Sequence, residues 1–316
     1  MVALDPAYRG RFAPSPTGPL HYGSLYTAIA SFLQARSKGG KWLVRIDDLD
    51  SARCQQQYSS KILKTLEQFG LTWDEPVFYQ HTRHHDYQQA LEQLLERQLL
   101  YPCQCSRKDL ANRGLHAGLY DGHCLSHPLK PNQPSALRIR LANKKISFID
   151  AVQGPSHHKL QTQHDDFVMF RKDRVYSYHL AVVIDDNTQG ITEVLRGHDL
   201  LDSTYQQIHL QQLLNIQTPH YAHIPVITDT SGIKLSKQTY ASDISLSPVK
   251  PTLLRTFVHL SLNPPQELLE SSTADILNWG IKHWSLKQII AQHSPYKATK
   301  HQSQHYVLVL FQYNHS

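Results

Sequence analysis

Two spacings of apolar residues alternate along the first hundred positions. Short apolar runs are typical of buried strands, and the candidates are Arg9 to Ala13, Trp42 to Ile46 and Val77 to Tyr79. Apolar residues at i, i+3 and i+4 predict helices from about Ser24 to Arg36, from Tyr58 to Phe69, and through Tyr87, Leu91, Leu94 and Leu95. Strands that alternate with helices predict an α/β fold with a parallel sheet and right-handed crossovers.

The alternation stops at Tyr101 and resumes after residue 175. Apolar segments predict further strands at Leu137 to Leu141, Phe167 to Phe170 and Leu180 to Ile184. A helix is expected from Ser203 with Gln206 in its capping box, and a helical pattern beyond Ser245 breaks at Pro251 and at Pro264–Pro265. The predicted units are 1–100 and 176–245 as two halves of one domain, 101–175 as an insertion, and 246–316 as a helical C-terminal region.

The composition agrees with a globular protein of about two domains. Of the 316 residues 40% are hydrophobic and 18% are charged, which excludes a disordered polyelectrolyte and a fibre. The formal net charge of +6 permits a polyanionic partner without requiring one. No run approaches the ~18 apolar residues of a membrane span and the N-terminus lacks a signal-peptide layout, so we expect a cytoplasmic protein with no membrane partner.

The segment APSPTGPLHYGS, residues 13 to 24, lies between a predicted strand and a predicted helix. Its prolines and glycines favour a tight loop, and the following helix N-terminus offers free amides to a phosphate. His21 is placed to donate a hydrogen bond to a phosphate oxygen, and Gly23 lets a flat ring approach the backbone. An ordinary strand-to-helix turn is the alternative, but the motif is long and its context fits phosphate binding.

A second motif, KLSKQ at residues 234 to 238, follows a glycine turn. Lys234 and Lys237 bracket a serine and suit a loop that neutralises a leaving polyphosphate. A solvated surface loop is the alternative for this short motif.

Three of the four cysteines, Cys103, Cys105 and Cys124, lie within 22 residues. In a reducing compartment such a cluster favours a metal over a disulfide. A closed tetrahedral zinc site needs a fourth ligand, and the spacing offers His116, His123, His127 or Tyr120. Chemistry alone favours a histidine, and the site is expected to be structural. Cys54 has no obvious partner and is expected to be a free thiol.

The two loop motifs resemble the HIGH and KMSKS signatures of class I aminoacyl-tRNA synthetases, with HYGS at the first and KLSKQ at the second. RFAPSPTGPLHYGSL, LVRIDDLD (43–50) and VLRGHDL (194–200) are similar to the glutamyl subgroup. The resemblance extends from Arg11 to Gln238. It implies a Rossmann-type catalytic domain with an inserted zinc-bearing α+β subdomain, and it implies ATP and Mg²⁺ as partners in the reaction.

The resemblance also implies a role for individual residues. The glutamate-binding residues would be Arg11, Ser15, Asp47, Tyr178 and Arg196, and the ATP-binding residues would be His21, Gly23, Lys234 and Lys237. His21 and Lys237 would be catalytic. Asp47 departs from the family, which has glutamate at this position to meet the α-ammonium. The family's Tyr-x-x-x-Cys pattern makes Tyr120 the fourth ligand of one structural zinc ion.

In this 316-residue chain 79 residues follow Lys237, which is too few for the anticodon-binding region of a glutamyl-tRNA synthetase. With the cysteine cluster, this resembles the glutamyl-Q tRNA(Asp) synthetases. The resemblance implies ATP-dependent activation of glutamate and its transfer to queuosine at the wobble position of tRNA(Asp), by a monomer. Three alternatives stay open: a compact glutamyl-tRNA synthetase charging tRNA(Glu), a non-catalytic tRNA-binding paralogue, and a nucleotidyltransferase of related fold.

Overall fold

The structure, a computed structural model, describes residues 7–115, 119–227 and 243–290. Its strands are β1 (Arg9–Phe12), β2 (Lys41–Ile46), β3 (Phe78–Tyr79), β4 (Leu100–Cys103), β5 (Ala136–Ile139), β6 (Lys144–Asp150), β7 (Gly154–Leu160), β8 (Val168–Phe170), β9 (Glu193–Gly197) and β10 (His220–Ile224). Its α-helices are α1 (Tyr22–Ser37), α2 (Gln56–Gln68), α3 (His84–Glu96), α4 (Arg107–Asn112), α5 (His123–Ser126), α6 (Tyr178–Thr188), α7 (Leu201–Leu213), α8 (Val249–His259), α9 (Thr273–His283) and α10 (Leu286–Ile290).

Strands β1, β2 and β3 form a parallel sheet, as the alternating pattern predicts. Helix α1 packs against β1 and β2 through an apolar stripe that includes Leu25, Ile29 and Leu33, all fully buried. The helix ends before Gly39, which adopts the left-handed φ of +63° that glycine tolerates best. The predicted strands and helices of this region are confirmed to within a few residues.

A second sheet has the order β7-β6-β10-β9 and lies beside the first. Strand β9 neighbours β1, because the backbone N–H of Thr192 donates to the carbonyl of Arg9 at 3.0 Å and the N–H of Arg9 donates to Thr192 Oγ1 at 2.9 Å. Strands β9 and β10 run parallel. The carboxyl ends of the parallel strands therefore meet along one edge, where open α/β sheets bind ligands.

Within the predicted insertion, β4, β5 and β8 form an antiparallel sheet of their own. The hairpin β6–β7 joins the second sheet instead, since β6 lies parallel to β10 and the N–H of Ala151 donates to the carbonyl of Tyr221 at 2.9 Å. The bounds given above for the domains remain a prediction, but this hairpin ties the inserted segment to the sheet that carries β9 and β10.

The prediction of a strand at Leu180 to Ile184 is wrong, because this run lies inside helix α6. Ser177 caps the helix, its Oγ accepting from the N–H of Leu180 at 3.3 Å. Leu180, Ala181, Val182 and Val183 are all buried, so the helix has an apolar surface on most sides. A short, continuous apolar run of this kind does not distinguish a buried helix from a strand.

Three smaller expectations are also corrected. Helix α7 begins at Leu201, so Ser203 lies inside it and caps nothing. Pro251 lies in the first turn of α8, where a missing N–H interrupts no helical hydrogen bond. Leu95 is 41% exposed although its spacing places it on the apolar face of α3. Among the described helices, none is long and apolar enough to cross a membrane.

Candidate active site

A cavity of about 360 Å³ opens at the carboxyl edge of the two sheets. It is bordered by the loop after β1, the first turn of α1, and the residues after β9 and β10. Every predicted glutamate- or ATP-binding residue within the described ranges lines it: Arg11, Ser15, His21, Gly23, Asp47, Tyr178 and Arg196. The motifs that contain Arg11, His21, Asp47 and Arg196 thus converge on one cavity, although they are spread over nearly two hundred positions.

His21 is the N-cap of helix α1. Its backbone is extended (φ −106°, ψ 167°), and its Nδ1 accepts from the N–H of Ser24 at 3.3 Å. Because Nδ1 is an acceptor, the proton of the neutral ring lies on Nε2, which contacts the Ser24 hydroxyl at 3.0 Å. His21 therefore lies at the positive end of the helix, a position suited to a phosphate, and shares its Nε2–H with the Ser24 hydroxyl.

Four buried charges form a network under the cavity, which we call the buried ion network: Arg11, Arg45, Asp47 and Asp186. Asp186 Oδ1 accepts from Arg45 Nη1 at 2.6 Å and from Arg11 Nε at 3.1 Å. Arg45 Nε donates to Asp47 Oδ1 at 2.7 Å. The two guanidiniums balance the two carboxylates, so the network carries no net charge.

The two carboxyl groups of this network respond differently to burial. Burial raises the pKa of Asp47, and the attraction of Arg45 offsets this only in part. For Asp186 burial also opposes ionisation, but the neighbouring guanidiniums of Arg11 and Arg45 outweigh it and hold its pKa below the ordinary value. Asp47 is therefore the carboxylate that gains most from a ligand ammonium placed against it.

Arg196 lies in β9, and hydrogen bonds to several neighbours hold its guanidinium in place. Nη2 donates to Thr204 Oγ1 at 2.8 Å and to the carbonyl of Leu200 at 3.3 Å, while Nε contacts His223 Nε2 at 3.0 Å. Nη1 donates to the Tyr178 hydroxyl at 3.4 Å. Nη1 and Tyr178, which is 39% exposed, are the parts of this cluster directed to a ligand in the cavity.

A second cavity of about 1050 Å³ adjoins the first and shares Ser15, Thr17, Asp47 and Tyr178 with it. Its other walls include Cys105, Ser106 and Arg138 of the insertion. At this cavity an ion pair 2.6 Å long joins Asp50, in the loop after β2, to Arg171 of the insertion. The second cavity thus connects the first one to the cysteine cluster.

The three cysteines of the cluster converge, with their ligand atoms all within 4.8 Å of one another. The Sγ atoms of Cys105 and Cys124 are 3.6 Å apart, and a tetrahedral zinc–thiolate site requires about 3.8 Å. Tyr120 Oη lies 3.6 Å from Cys103 Sγ, close to the roughly 3.5 Å expected between oxygen and sulfur ligands. The described residues therefore fit a zinc ion held by three thiolates and Tyr120.

The surroundings of the cluster match its charge. Arg113 Nη2 donates to Cys105 Sγ and Arg138 Nε donates to Cys103 Sγ, both at 3.3 Å. Three thiolates around Zn²⁺ leave one net negative charge, which these guanidiniums offset. Burial raises the pKa of Tyr120, so its oxygen stays protonated unless a cation lies against it. Cys54 lies outside the cluster and is a free thiol.

Several residues of the expected site lie outside the described residues. These are Lys234 and Lys237 of the KLSKQ motif and His116, one of the considered zinc ligands. Of the other histidines, His123 and His127 stack on each other with ring centroids 3.9 Å apart. The assignments of Lys234 and Lys237 remain predictions from the sequence motif.

Sequence reasoning missed the residues that support the site. Arg45 is a charge inside the apolar strand WLVRI, and Asp186 follows the apolar run LAVVI; each was a signal of a buried ion pair. His223 and Asp150 form a second buried pair, 2.5 Å apart, that touches Arg196. Nothing in the local sequence of His223 marks it, because its partners lie 27 and 73 positions away.

Comparison with known proteins places these features in a family. The model of "tRNA synthetases class I (E and Q), catalytic domain" matches residues 7–252. The glutamyl-Q tRNA(Asp) synthetase of Methylococcus capsulatus is 47% identical over 283 residues, 89% of this chain and 93% of that one. That of Neisseria gonorrhoeae is 46% identical over 290 residues, 89% of this chain and 97% of that one.

Solved structures agree at the level of the fold. A glutamate-tRNA synthetase from Elizabethkingia anophelis superposes with a TM-score of 0.75 at 24% identity, over 97% of this chain and 73% of that one. A glutamate tRNA ligase from Elizabethkingia meningosepticum, in complex with its amino acid, has a TM-score of 0.72 at 24% identity, over 96% of this chain and 70% of that one. The class I synthetase fold is thereby confirmed.

Proposed function

The chain belongs to the glutamyl-Q tRNA(Asp) synthetases within the class I tRNA synthetases for glutamate and glutamine, and from this premise we propose that it is an ATP-dependent ligase that activates glutamate and transfers it to queuosine of tRNA(Asp). The observation that supports the proposal is that residues from the first and second sheets and from helix α6 line the first cavity together.

Glutamate carries two carboxylates and one ammonium, and the first cavity offers opposite charges to each. Arg11 and Arg196 supply two guanidiniums, and Asp47 supplies a buried carboxylate. Ser15 and Tyr178 add hydroxyl groups at the boundary with the second cavity. Asp47 is one methylene shorter than the family's usual glutamate, so either a water molecule bridges it to the ammonium or glutamate binds less tightly.

In the first step an oxygen of the glutamate α-carboxylate attacks the α-phosphorus of ATP. The bond from that phosphorus to the bridging oxygen breaks, and pyrophosphate leaves with the electron pair. The step needs no side-chain nucleophile, because positioning and charge neutralisation carry it. His21 Nε2–H and the first-turn amides of α1 would hold the phosphates, with Gly23 leaving room for the nucleotide. Lys234 and Lys237 would neutralise the leaving group, and Mg²⁺ when bound would supply further positive charge.

In the second step a hydroxyl oxygen of the acceptor attacks the activated carboxyl carbon. The bond from that carbon to the phosphate oxygen breaks, AMP leaves with the electron pair, and the hydroxyl proton is released. The second cavity is the route by which the nucleic acid would reach that carbon, because it opens onto the insertion and shares Tyr178 with the first. An unstacked modified base in a loop is a form in which proteins commonly read RNA. We assign tRNA(Asp) carrying queuosine as the partner, from the two relatives with 46 and 47% identity.

One zinc ion would hold the insertion together through Cys103, Cys105, Tyr120 and Cys124, since the three Sγ atoms lie within 4.8 Å of one another and Tyr120 Oη is 3.6 Å from Cys103 Sγ. The role is structural, because all four coordination positions are taken by protein. We propose that the enzyme acts as a monomer. We place it in the cytoplasm, where ATP and tRNA meet.

The test uses purified protein, ATP, Mg²⁺ and radiolabelled glutamate with three acceptors: queuosine-containing tRNA(Asp), the same tRNA without queuosine, and tRNA(Glu). Label on the first acceptor alone is the expected result. Label on tRNA(Glu) would identify a compact charging enzyme instead. If no acceptor is labelled and glutamate drives no ATP–pyrophosphate exchange, with or without tRNA, the chain would be a non-catalytic paralogue. Asp47 in place of glutamate would then be the first residue to examine as the cause of the lost activity.

A further inference from the structure

Behind Arg196 lies a buried pair that the reaction as described does not use. The side chains of Asp150, at the end of β6, and of His223, in β10, are completely buried. Asp150 Oδ2 lies 2.5 Å from His223 Nδ1. On the other side of the ring, His223 Nε2 lies 3.0 Å from Arg196 Nε and 3.1 Å from Thr204 Oγ1. A chain of hydrogen bonds therefore runs from Asp150 through His223 to Arg196, which lines the cavity.

The hydrogen bonds determine where the histidine proton lies. Asp150 Oδ1 accepts from three backbone N–H groups, those of Val152 and Gln153 at 2.9 Å and that of His223 at 3.1 Å. A carboxylate fixed in this way accepts from His223 Nδ1–H through Oδ2. Arg196 Nε always carries a hydrogen, so His223 Nε2 must be the acceptor. The ring is therefore neutral and protonated at Nδ1.

The charges around the pair favour this state. Burial lowers the pKa of His223, and the positive charge of Arg196 acts in the same direction against the attraction of Asp150. Burial opposes ionisation of Asp150, but hydrogen bonds from His223 and from the backbone N–H of Gln153 hold its pKa below the ordinary value. A carboxylate that fixes a histidine tautomer is a recurring arrangement behind functional groups.

We propose that His223, held in its Nδ1–H tautomer by Asp150, is a positioning residue that orients the Arg196 guanidinium toward the substrate carboxylate. The proposal rests on the proposed function, in which Arg196 binds glutamate. Arg196 Nε donates to His223 Nε2, and Nη2 donates to Thr204 Oγ1 and to the Leu200 carbonyl. These three hydrogen bonds fix the plane of the guanidinium. Nη1 then remains for Tyr178 and for the substrate. Asp150 acts one step further back, through His223.

The variant Asp150→Asn tests the tautomer directly. The three backbone N–H groups keep the amide oxygen of Asn at the Oδ1 position, so its NH₂ group must face His223. His223 Nδ1 then becomes the acceptor and its proton moves to Nε2, where it meets the N–H of Arg196. We expect the KM for glutamate in ATP–pyrophosphate exchange to rise about tenfold or more, while the KM for ATP stays within about twofold.

A matched pair at position 223 keeps the proposal testable if Asp150→Asn folds poorly. His223→Asn keeps a donor near Asp150 but removes the acceptor for Arg196, whereas His223→Gln carries an amide oxygen to the position of Nε2. We expect His223→Gln to retain a glutamate KM several-fold closer to the wild-type value than His223→Asn. Equal KM values for the two variants would overturn the proposal, as would an unchanged glutamate KM in a folded Asp150→Asn.

Nitrogen-15 NMR of the histidine rings separates this proposal from the proposed function. The resonance pair missing from His223→Asn identifies His223, which should be protonated at Nδ1 in the wild type and at Nε2 in Asp150→Asn. A wild-type ring protonated at Nε2 would refute the tautomer assignment whatever the activity. Wild-type protein that shows the Nδ1–H tautomer but no glutamate-driven exchange would refute the proposed function, and with it the role of Arg196 on which the positioning depends.

Discussion

Replacing Asp186 by asparagine should destabilise the protein more than any surface charge change, because Asp186 compensates two buried guanidiniums. Its Oδ1 is 2.6 Å from Arg45 Nη1 and 3.1 Å from Arg11 Nε, and all three side chains are nearly inaccessible. Removing one partner of a buried ion pair costs about 3–5 kcal/mol. The asparagine oxygen retains one hydrogen bond, worth about 1 kcal/mol, so we expect a loss of about 3 kcal/mol in the free energy of unfolding.

The assay is urea denaturation, with the free energy of unfolding taken from the midpoint at unchanged slope. Asp86→Asn is the matched control, since Asp86 pairs with Arg83 at 3.0 Å at a partly exposed position. We expect it to cost about 0.5 kcal/mol or less. Equal effects of the two substitutions would refute the reasoning that the buried ion network depends on charge compensation.

The same network predicts a direction for the acid dependence of stability. The pKa of Asp186 is lower in the folded protein than in the unfolded chain, so ionised Asp186 contributes stability above its ordinary pKa of about 4. That contribution is lost as the pH falls through the lower, folded value. Asp186→Asn should therefore lose less stability than the wild type between neutral pH and acid, and a loss as steep as in the wild type would contradict the assignment.

Three further predictions follow from the site and the insertion. Lys237→Ala should slow ATP–pyrophosphate exchange at least tenfold while the glutamate KM changes less than about twofold, and an unchanged exchange rate would remove Lys237 from the mechanism. Metal analysis should find one zinc ion in the wild type and in Cys54→Ser, which lies outside the cluster, but none in Cys105→Ser; equal zinc content in the two variants would refute the cluster as the metal site. Gly122→Ala should lower the melting temperature more than Gly39→Ala. Both glycines have a left-handed φ, but only at Gly122 would a Cβ approach a side chain, that of Gln163 at 2.8 Å. The additional loss in the free energy of unfolding should be about 1–2 kcal/mol, and equal losses in the two variants would contradict this reasoning.

The catalytic half of the fold was largely predictable because its elements are local. Apolar spacing located α1 and β2, and the loop motif before α1 located His21 and Gly23. The exception is α6, whose continuous apolar run predicts a strand instead of a helix. A strand would direct Asp185 and Asp186 to opposite faces, whereas in the helix both are buried: Asp185 Oδ2 accepts from the Tyr87 hydroxyl at 2.7 Å and Asp186 from the two arginines.

The supporting residues were not predictable for a different reason. Arg45 of β2 pairs with Asp186 of α6 across 141 positions, and His223 of β10 pairs with Asp150 of the adjacent strand β6 across 73, so both pairs depend on long-range packing. A single sequence shows that Arg45 is a charge within an apolar strand, but it does not show which carboxylate receives it. The cysteine cluster was predictable because its three members are close in sequence, while Tyr120 needed either the family pattern or the structure.

The position of β6 limits how the protein could be divided into modules. From the sequence alone, residues 101–175 are expected to be a separate unit that could be removed or exchanged for the corresponding segment of another synthetase. The strand pairing contradicts this, because removing β6 would expose the edge of β10 and take away Asp150 together with the segment. A transplant of the insertion would therefore carry with it Asp150, the partner of His223 behind Arg196. A chimaera that exchanges acceptor specificity should leave residues 144–160 in place and replace only the parts of the insertion on either side of that hairpin.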